Sequence, residues 1–132
     1  LTEVIARLGK GAILTNQFEL NPLFRNETLA RFCQVQGILV TCYQPIAKGR
    51  IAGNAAAAAI AARHGATAEQ VALAWELAKG YAAIPTSGRA ERIVANHAAL
   101  HVTLTADDIA QLDALDQSPR SINPDWGPAW DL

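Results

Sequence analysis

The stretch GYAAIPTSGRAERIVAN, residues 80–96, decides how the rest of this sequence is interpreted. It predicts a short apolar strand over 81–84 that stops at Pro85 and turns directly into a helix. The first N–H groups of a helix have no internal partner, and the helix dipole places partial positive charge there, so this junction favours a bound phosphate. Arg89 and Arg92, in the first helical turns, are candidates for the same anion because a guanidinium stays charged and binds phosphate with two N–H groups.

The same residues have a plainer interpretation. Ser87 would then cap the helix, and both arginines would be solvated surface charges, since serine and threonine caps are common. The stretch alone does not separate the two interpretations.

Length and composition indicate one globular domain. The chain has 132 residues, of which 51% are hydrophobic, and a formal net charge of −1. Because there is no basic excess or basic run, we expect neither a nucleic acid nor a membrane as partner. The longest apolar stretch without charge, 51–62, is too short to cross a bilayer. Since the chain starts with Leu1 and contains no methionine, we also expect it to be part of a longer protein.

Cysteine usage favours a reducing environment. Cys33 on a helical pattern and Cys42 on a strand pattern are predicted to be buried thiols rather than a disulfide or a metal pair. We therefore expect a cytoplasmic protein. No spacing of histidine, cysteine or carboxylate residues predicts a metal site.

Strand and helix patterns alternate along the chain. Strands are predicted over 11–19, 38–43 and 81–84, and the second is apolar and β-branched, as expected for a strand covered on both faces. Helices separate the strands, so we expect the strands to run parallel. The helical patterns cover 1–8, 26–36, 54–64, 67–79, 89–96 and 105–115.

Local signals mark the helix ends. Asn26 is expected to cap the second helix, and Gly37 to end it in a left-handed conformation. The next signals are cap patterns of residues three apart, Thr67 with Gln70 and Thr105 with Asp108. One helix is predicted to bury an apolar face made of Val71, Ala74, Trp75 and Ala78, and another to turn Ile109, Leu112 and Leu115 inward.

Polar side chains stand where each predicted strand ends: Asn16 and Gln17, Tyr43 and Gln44, Thr86 and Ser87. In parallel α/β folds the carboxyl edge of the sheet binds ligands, in a barrel and in an open sheet alike. Three strands do not distinguish these architectures, and they cannot close a barrel, which needs eight strands and typically about 250 residues.

Four motifs in register resemble the C-terminal half of the aldo-keto reductase family. They are NQFELNP at 16–22, GILVTCYQP at 37–45, QVALAW at 70–75, and IPTS at 84–87 continuing through Arg92-Ile93 to Asn96. The resemblance implies an α/β fold that is the C-terminal portion of a (β/α)8 TIM barrel, with three parallel strands and incomplete as given. It also implies a single partial domain over 1–132, with 116–132 as its tail.

The resemblance further implies NADP(H) bound across the C-terminal ends of the strands. Gln17 would hold the nicotinamide carboxamide, and Tyr43 would stack on the nicotinamide ring. Ser87 and Arg92 would take the adenosine 2′-phosphate, and Asn96 would meet the adenine. This agrees with the phosphate site that the strand–helix junction predicts.

Several positions depart from the family pattern. Thr86 stands where many members have a lysine, which removes a charge that favours the 2′-phosphate, so Arg92 and Arg89 would carry the NADP preference. Ala95 replaces a common glutamate. Gln44 occupies a position where serine is common, and IAKG at 46–49 replaces the leucine-glycine turn that meets the pyrophosphate. Thr86 and Gln44 remain in the expected cofactor site.

The family transfers a hydride from NADPH to a carbonyl carbon while a tyrosine, tuned by lysine, aspartate and histidine, protonates the oxygen. Those four residues belong to the N-terminal half of the family pattern, so we expect no catalytic residue in this chain. Tyr43 and Tyr81 do not match the catalytic tyrosine by position. His64, His97 and His101 are expected on or beside outer helices, solvated or capping locally.

By resemblance, we expect an NADP-dependent reductase of a small dicarbonyl or of a keto-sugar acid such as 2,5-diketo-D-gluconate. This chain would supply the cofactor-binding half and be inactive alone, and the full-length form would be a monomer. The alternative is a truncated, inactive binding or regulatory module. In the isolated chain the first and third strands would be open edges that favour association. Trp126 or Trp130 would line the substrate pocket or pack against outer helices.

Overall fold

The computed structural model describes residues 1–126. In chain order the elements are α1 (Thr2–Leu8), β1 (Thr15–Glu19), α2 (Glu27–Gln36), β2 (Leu39–Tyr43), a 3-10 segment (Ala47–Gly53), α3 (Ala55–His64), α4 (Ala68–Ala78), β3 (Ala82–Ala83), α5 (Ala90–Ala98), a 3-10 turn (Ala99–His101) and α6 (Ala106–Asp113). The strands form one parallel sheet in the order β1-β2-β3. The predicted alternation of parallel strands and helices is thus confirmed.

The third strand is shorter than the sequence predicts. β1 pairs with β2 along its whole length, whereas β3 adds only two residues beside β2. Tyr81 does not join this ladder because its N–H donates to the Glu76 carbonyl oxygen of α4 at 3.0 Å. β1 and β3 are the two edges of the sheet, as expected, and association through these edges stays a prediction.

One face of the sheet is largely uncovered, within the residues that the structure describes. In β2, Val40 and Cys42 are buried, whereas Leu39 is 45% exposed. The expectation that β2 is covered on both faces is therefore wrong. The strand predicted over 11–19 is also longer than the observed one, because β1 begins at Thr15. Leu14, just before β1, is 83% exposed.

One of the two capping signals predicted for α2 is confirmed. Gly37 follows the helix with φ 72°, and its N–H bonds back to α2, as expected of a left-handed end. Asn26 occupies the first cap position but has φ 47° and makes no side-chain cap bond. The prediction that it caps the helix is wrong, because capping requires an extended backbone that turns the side chain toward the first N–H groups.

Helix α4 begins with the predicted capping box. Thr67 Oγ1 accepts from the Gln70 N–H at 3.2 Å, and Gln70 Oε1 accepts from the Thr67 N–H at 2.9 Å. Its apolar face is buried at Val71, Ala74 and Trp75, but Ala78 at its last turn is exposed. This face joins the main core together with residues of β1, β2, α3 and α6: Phe18, Val40, Ile60 and Leu112.

The carboxylate of Asp108, buried at the start of α6, joins α6 to α3. Its Oδ1 accepts from Arg63 at 2.6 Å, and its Oδ2 lies 2.8 Å from both His64 Nε2 and Thr105 Oγ1. The hydrogen bonds from Arg63 and from the Thr105 backbone hold the pKa of Asp108 well below its ordinary value. His64 is therefore bonded across to α6 rather than solvated or capping locally.

No helix among residues 1–126 is long and apolar enough to span a membrane.

Candidate functional site

An open cleft of about 660 Å³ lies at the carboxyl edge of the sheet. Its walls are the loop after β2, the start of α4, and the segment that leads from β3 into α5. Six of the seven residues proposed for the cofactor line this cleft together: Tyr43, Gln44, Thr86, Ser87, Arg92 and Asn96. Side chains that are up to 53 residues apart in sequence are thus brought to one site.

Gln17 does not line this cleft. It lies in the middle of β1, opposite Thr41 in the register, and is exposed. Asn16 also lies inside the strand, where its Nδ2 donates to Cys33 Sγ at 3.6 Å. The placement of these two residues at the strand end was wrong, because the strand continues to Glu19.

The strand–helix junction differs from the sequence prediction in its cap and in the first residue of the helix. α5 begins at Ala90, with Arg89 as its cap residue and no side-chain cap bond. Ser87 Oγ accepts from the Arg89 N–H at 3.1 Å, so Ser87 stabilises the turn before the helix instead of capping it. Arg89 pairs with Glu91 at 2.8 Å and does not line the cleft, and its role as a phosphate ligand stays a prediction.

Arg92 is the cation of this junction that is available to bind an anion in the cleft. It lines the cleft and is exposed, and within the described part of the chain its guanidinium forms no ion pair. A phosphate in the cleft would therefore not have to displace an existing carboxylate partner of Arg92.

The start of α4 contributes residues that the sequence did not assign to the site: Thr67, Glu69 and Gln70. Gln70 has a second role besides the capping box, because its Nε2 donates to the carbonyl oxygen of Ala95 on α5 at 2.9 Å. This bond joins two walls of the cleft. The capping pattern reveals Gln70 in the sequence, but the contact with α5 depends on the tertiary fold.

The loop after β2 has an unusual backbone. Gln44, Ala47 and Lys48 all have positive φ, at 54°, 50° and 55°. Left-handed conformations are uncommon for residues other than glycine, asparagine and aspartate, and they persist only where surrounding contacts hold them. Here the Ala47 N–H donates to the Gln44 carbonyl oxygen at 2.8 Å, and Arg50 Nε donates to the Ala47 carbonyl oxygen at 3.1 Å.

The tail is fixed at the end of β1 by Glu19. This carboxylate is fully buried and accepts from the Ser121 N–H with both oxygens at 2.9 Å and from the Ile122 N–H at 3.3 Å. Arg50 donates to Ser121 Oγ at 2.9 Å, which connects the tail to the loop beside the cleft. Trp126 is 87% exposed, so neither role expected for it is seen, and Trp130 lies outside the described residues.

Replacing Glu19 by alanine is expected to accelerate tryptic cleavage after Arg120 at least several-fold. The substitution removes three backbone hydrogen bonds that hold the chain at Ser121, and unfastened segments are preferred sites of proteolysis. Limited trypsinolysis followed by mass spectrometry measures the cleavage, with Glu3→Ala, an exposed carboxylate on α1, as control. Equal cleavage rates at this bond in all three proteins would show that Glu19 does not hold the tail.

The described residues offer no alternative metal or thiol chemistry. No group of three histidine, cysteine, aspartate or glutamate side chains among residues 1–126 is placed to hold a metal ion. Cys33 and Cys42 are free and buried, as predicted. Burial, with a smaller contribution from Glu76, raises the pKa of Cys42 far above its ordinary value, so this thiol stays protonated.

The fold and the cleft together define a class: an α/β protein that offers cations to an anionic ligand at the carboxyl ends of parallel strands. The model of the aldo/keto reductase family matches residues 2–117. The chain therefore belongs to the aldo/keto reductase family.

Curated relatives and solved structures agree with this assignment. The chain is 38% identical over 132 residues to the methylglyoxal reductase DkgB of Yersinia pestis, covering 99% of this chain and 49% of the relative. It is similar to the structure of a putative 2,5-diketo-D-gluconic acid reductase B, with 29% identity and a TM-score of 0.90 over 99% of this chain and 48% of the other. It is also similar to a Gox0644 mutant in complex with NADPH, with 28% identity and a TM-score of 0.85 over 95% and 46%.

These comparisons fix the architecture as well. The chain spans about half the length of the curated relatives that it matches. Its three parallel strands with their helices are accordingly part of a (β/α)8 barrel, as the motifs implied.

Proposed function

We propose that this chain is the cofactor-binding part of an NADP(H)-dependent carbonyl reductase. The observation that carries the proposal is the cleft itself, where six of the seven residues that the family resemblance assigns to the cofactor lie together. The cleft is open at one side, is lined by Arg92, which has no ion-pair partner among the described residues, and includes the half-buried ring of Tyr43. These features fit a dinucleotide, which presents phosphates and a flat ring.

Each residue has a role in this proposal. Tyr43 stacks on the nicotinamide. Gln17, which lies in β1 opposite Thr41 of β2, holds the carboxamide. Ser87 and Arg92 bind the 2′-phosphate, and Asn96 contacts the adenine. Thr86 and Gln44 line the same cleft beside Ser87 and Tyr43. When bound, NADPH supplies the hydride that reduces a carbonyl carbon.

The names of two relatives support a substrate class. One is named a methylglyoxal reductase and another a 2,5-diketo-D-gluconic acid reductase. We therefore assign a small dicarbonyl or a keto-sugar acid as substrate. No residue of this chain matches the catalytic tyrosine, lysine, aspartate or histidine of the family, so the 132-residue chain by itself binds the cofactor without turnover.

Arg92→Met is expected to weaken NADPH binding about tenfold or more and to leave NADH binding nearly unchanged. A charged hydrogen bond contributes about 1.5–3 kcal/mol to binding. The substitution removes no such bond from NADH, because NADH has no 2′-phosphate. Quenching of protein fluorescence on titration measures both affinities. Arg89→Met is the matched control, because that arginine is paired with Glu91 and lies outside the cleft.

Two results would contradict the proposal. The first is wild-type protein that binds neither NADPH nor NADH. The second is an Arg92→Met protein with wild-type affinity for NADPH. Oxidation of NADPH by the 132-residue chain in the presence of methylglyoxal, above a control without protein, would overturn only the statement that the chain alone lacks turnover.

A further inference from the structure

A second cavity, of about 560 Å³, lies between α2 and α4. Residues of α2, the end of α4, the start of β3 and the end of α6 form its walls. It shares no lining residue with the cleft at the carboxyl edge of the sheet, so it contains none of the residues that we assign to the cofactor. Its volume is in the range of cavities that hold a small molecule.

Both carboxylates that line this cavity already have partners. Asp113 accepts from Trp75 Nε1 at 2.8 Å and from Lys79 Nζ at 2.9 Å. Glu27 accepts from Arg25 Nε at 2.7 Å. Each carboxylate is thus paired with a cation of the same lining, and neither is left to attract a cationic ligand.

Three donors of the same lining have capacity to spare. Arg31 on α2 is exposed and has no ion pair or hydrogen bond among residues 1–126. The half-buried Tyr81 hydroxyl has no hydrogen-bond partner in that range either, and burial raises the pKa of Tyr81, so this group keeps its proton. Gln34 Nε2 makes one long bond, 3.4 Å to the Lys79 carbonyl oxygen. The cavity therefore presents free donors and one unbalanced positive charge.

We propose that this cavity is a second ligand site, which takes a small hydrophilic molecule with a single carboxylate. The flat fork of the Arg31 guanidinium matches the two oxygens of a carboxylate. Tyr81 and Gln34 donate to further oxygens of the ligand, which suits a body that carries hydroxyl groups. The polar lining disfavours an apolar body, because donors buried without partners are costly.

Charge favours a carboxylate over a phosphate at this site. The unpaired Arg31 balances one negative charge, which is what a carboxylate carries. A phosphate monoester carries about −1.5 to −2 at neutral pH, so part of its charge would stay unbalanced beside Glu27 and Asp113. The inference does not depend on the proposed function, because the two sites have no lining residue in common.

Isothermal titration calorimetry with D-gluconate tests the proposal, since gluconate joins one carboxylate to a chain of hydroxyl groups. We expect saturable binding to the wild type. Sorbitol, which has an alcohol in place of the carboxylate, is the matched ligand control and should bind about tenfold more weakly or less. Inorganic phosphate should also bind more weakly than gluconate.

Two substitutions in the cavity and one outside it locate the bound gluconate. Arg31→Met is expected to weaken gluconate binding about tenfold or more, because it removes a charged hydrogen bond. Tyr81→Phe removes a neutral donor and should weaken binding severalfold. Arg92→Met is the matched control, because it removes an arginine of the other cleft, and it should bind gluconate like the wild type. Circular dichroism establishes that the three variants are folded.

Four results would overturn the proposal. Wild-type protein without saturable gluconate binding would show that the cavity is not a site for this class of ligand. A folded Arg31→Met protein with wild-type affinity would exclude Arg31 as the carboxylate partner. A loss of binding in Arg92→Met would place gluconate in the cofactor cleft. Equal affinity for sorbitol, or tighter binding of phosphate, would show that the site does not select a carboxylate.

Discussion

Replacing Glu76 by methionine is expected to raise the free energy of unfolding by about 1–3 kcal/mol even where the carboxyl is neutral. Glu76 lies on α4 with no exposed surface, and neither of its carboxyl oxygens has a hydrogen-bond partner within residues 1–126. A buried polar group without a partner retains its full desolvation penalty. Methionine has a similar length and adapts to irregular space in a core, so it removes the penalty without leaving a cavity.

The stability that Glu76→Met gains over the wild type is expected to increase with pH. Burial raises the pKa of Glu76 well above its ordinary value, whereas in the unfolded chain it ionises near about 4.3. Between these two pKa values the unfolded state has released the proton and the folded state retains it. The stability contributed by this group is therefore fully present below the unfolded pKa and falls by about 1.4 kcal/mol per pH unit as the pH rises toward the folded pKa.

Urea unfolding of the wild type and Glu76→Met at pH 5 and pH 7 measures this difference. Cys42 is the titratable neighbour that interacts with Glu76, and it stays protonated over this range. Glu76→Gln is the matched control, because it keeps an unsatisfied polar group but cannot ionise. It should remove the pH dependence without the full gain in stability. Parallel pH curves for the wild type and Glu76→Met would show that Glu76 ionises normally in the folded protein.

Trp75→Ala is expected to lower the free energy of unfolding by about 3–5 kcal/mol, as for large-to-small changes in a core. The side chain is 1% exposed and is the largest fully buried one among residues 1–126. Its Nε1 donates to Asp113 Oδ1 at 2.8 Å, and Lys79 Nζ lies 4.8 Å from the ring centroid. Truncation therefore removes core packing, the hydrogen bond that joins α4 to the end of α6, and the contact of Lys79 with the ring at the end of α4.

Trp75→Phe separates the two contributions. It retains an aromatic ring in the core but leaves Asp113 with Lys79, 2.9 Å from its Oδ2, as its remaining partner. We expect it to cost clearly less than Trp75→Ala. Urea unfolding monitored by circular dichroism measures both variants, since the fluorescence of this tryptophan is lost. A Trp75→Ala protein within 1 kcal/mol of the wild type would contradict the central place of Trp75 in the core.

Signals of short range were sufficient to predict much of this protein. Capping at Thr67 and Thr105 involves residues three apart, and the left-handed Gly37 depends on its own backbone. The polar residues that follow β2 and β3 along the chain come together because parallel strands bring their carboxyl ends to one edge. For these reasons the alternation of elements, the family and six cleft residues were predictable before the structure was known.

Only the tertiary structure decided the features that depend on contacts between distant residues. Glu19 and Ser121 are 102 residues apart in sequence, so no local pattern indicates that the first holds the tail. Arg89 and Arg92 look equivalent in the sequence, but Arg89 pairs with Glu91 outside the cleft, and the path of α5 brings Arg92 into it.

The same division applies to Lys48 and Glu76. A lysine in a loop and a glutamate on a helix are ordinary features of a sequence. Only the tertiary contacts around each side chain distinguish these two from other lysines and glutamates. The fold places Lys48 in a cleft with another cation and buries the Glu76 carboxyl, which has no hydrogen-bond partner within residues 1–126. Sequence patterns determine which backbone elements form, because those depend on neighbouring residues. The electrostatic surroundings of a side chain depend on the packing of elements that are far apart in the chain.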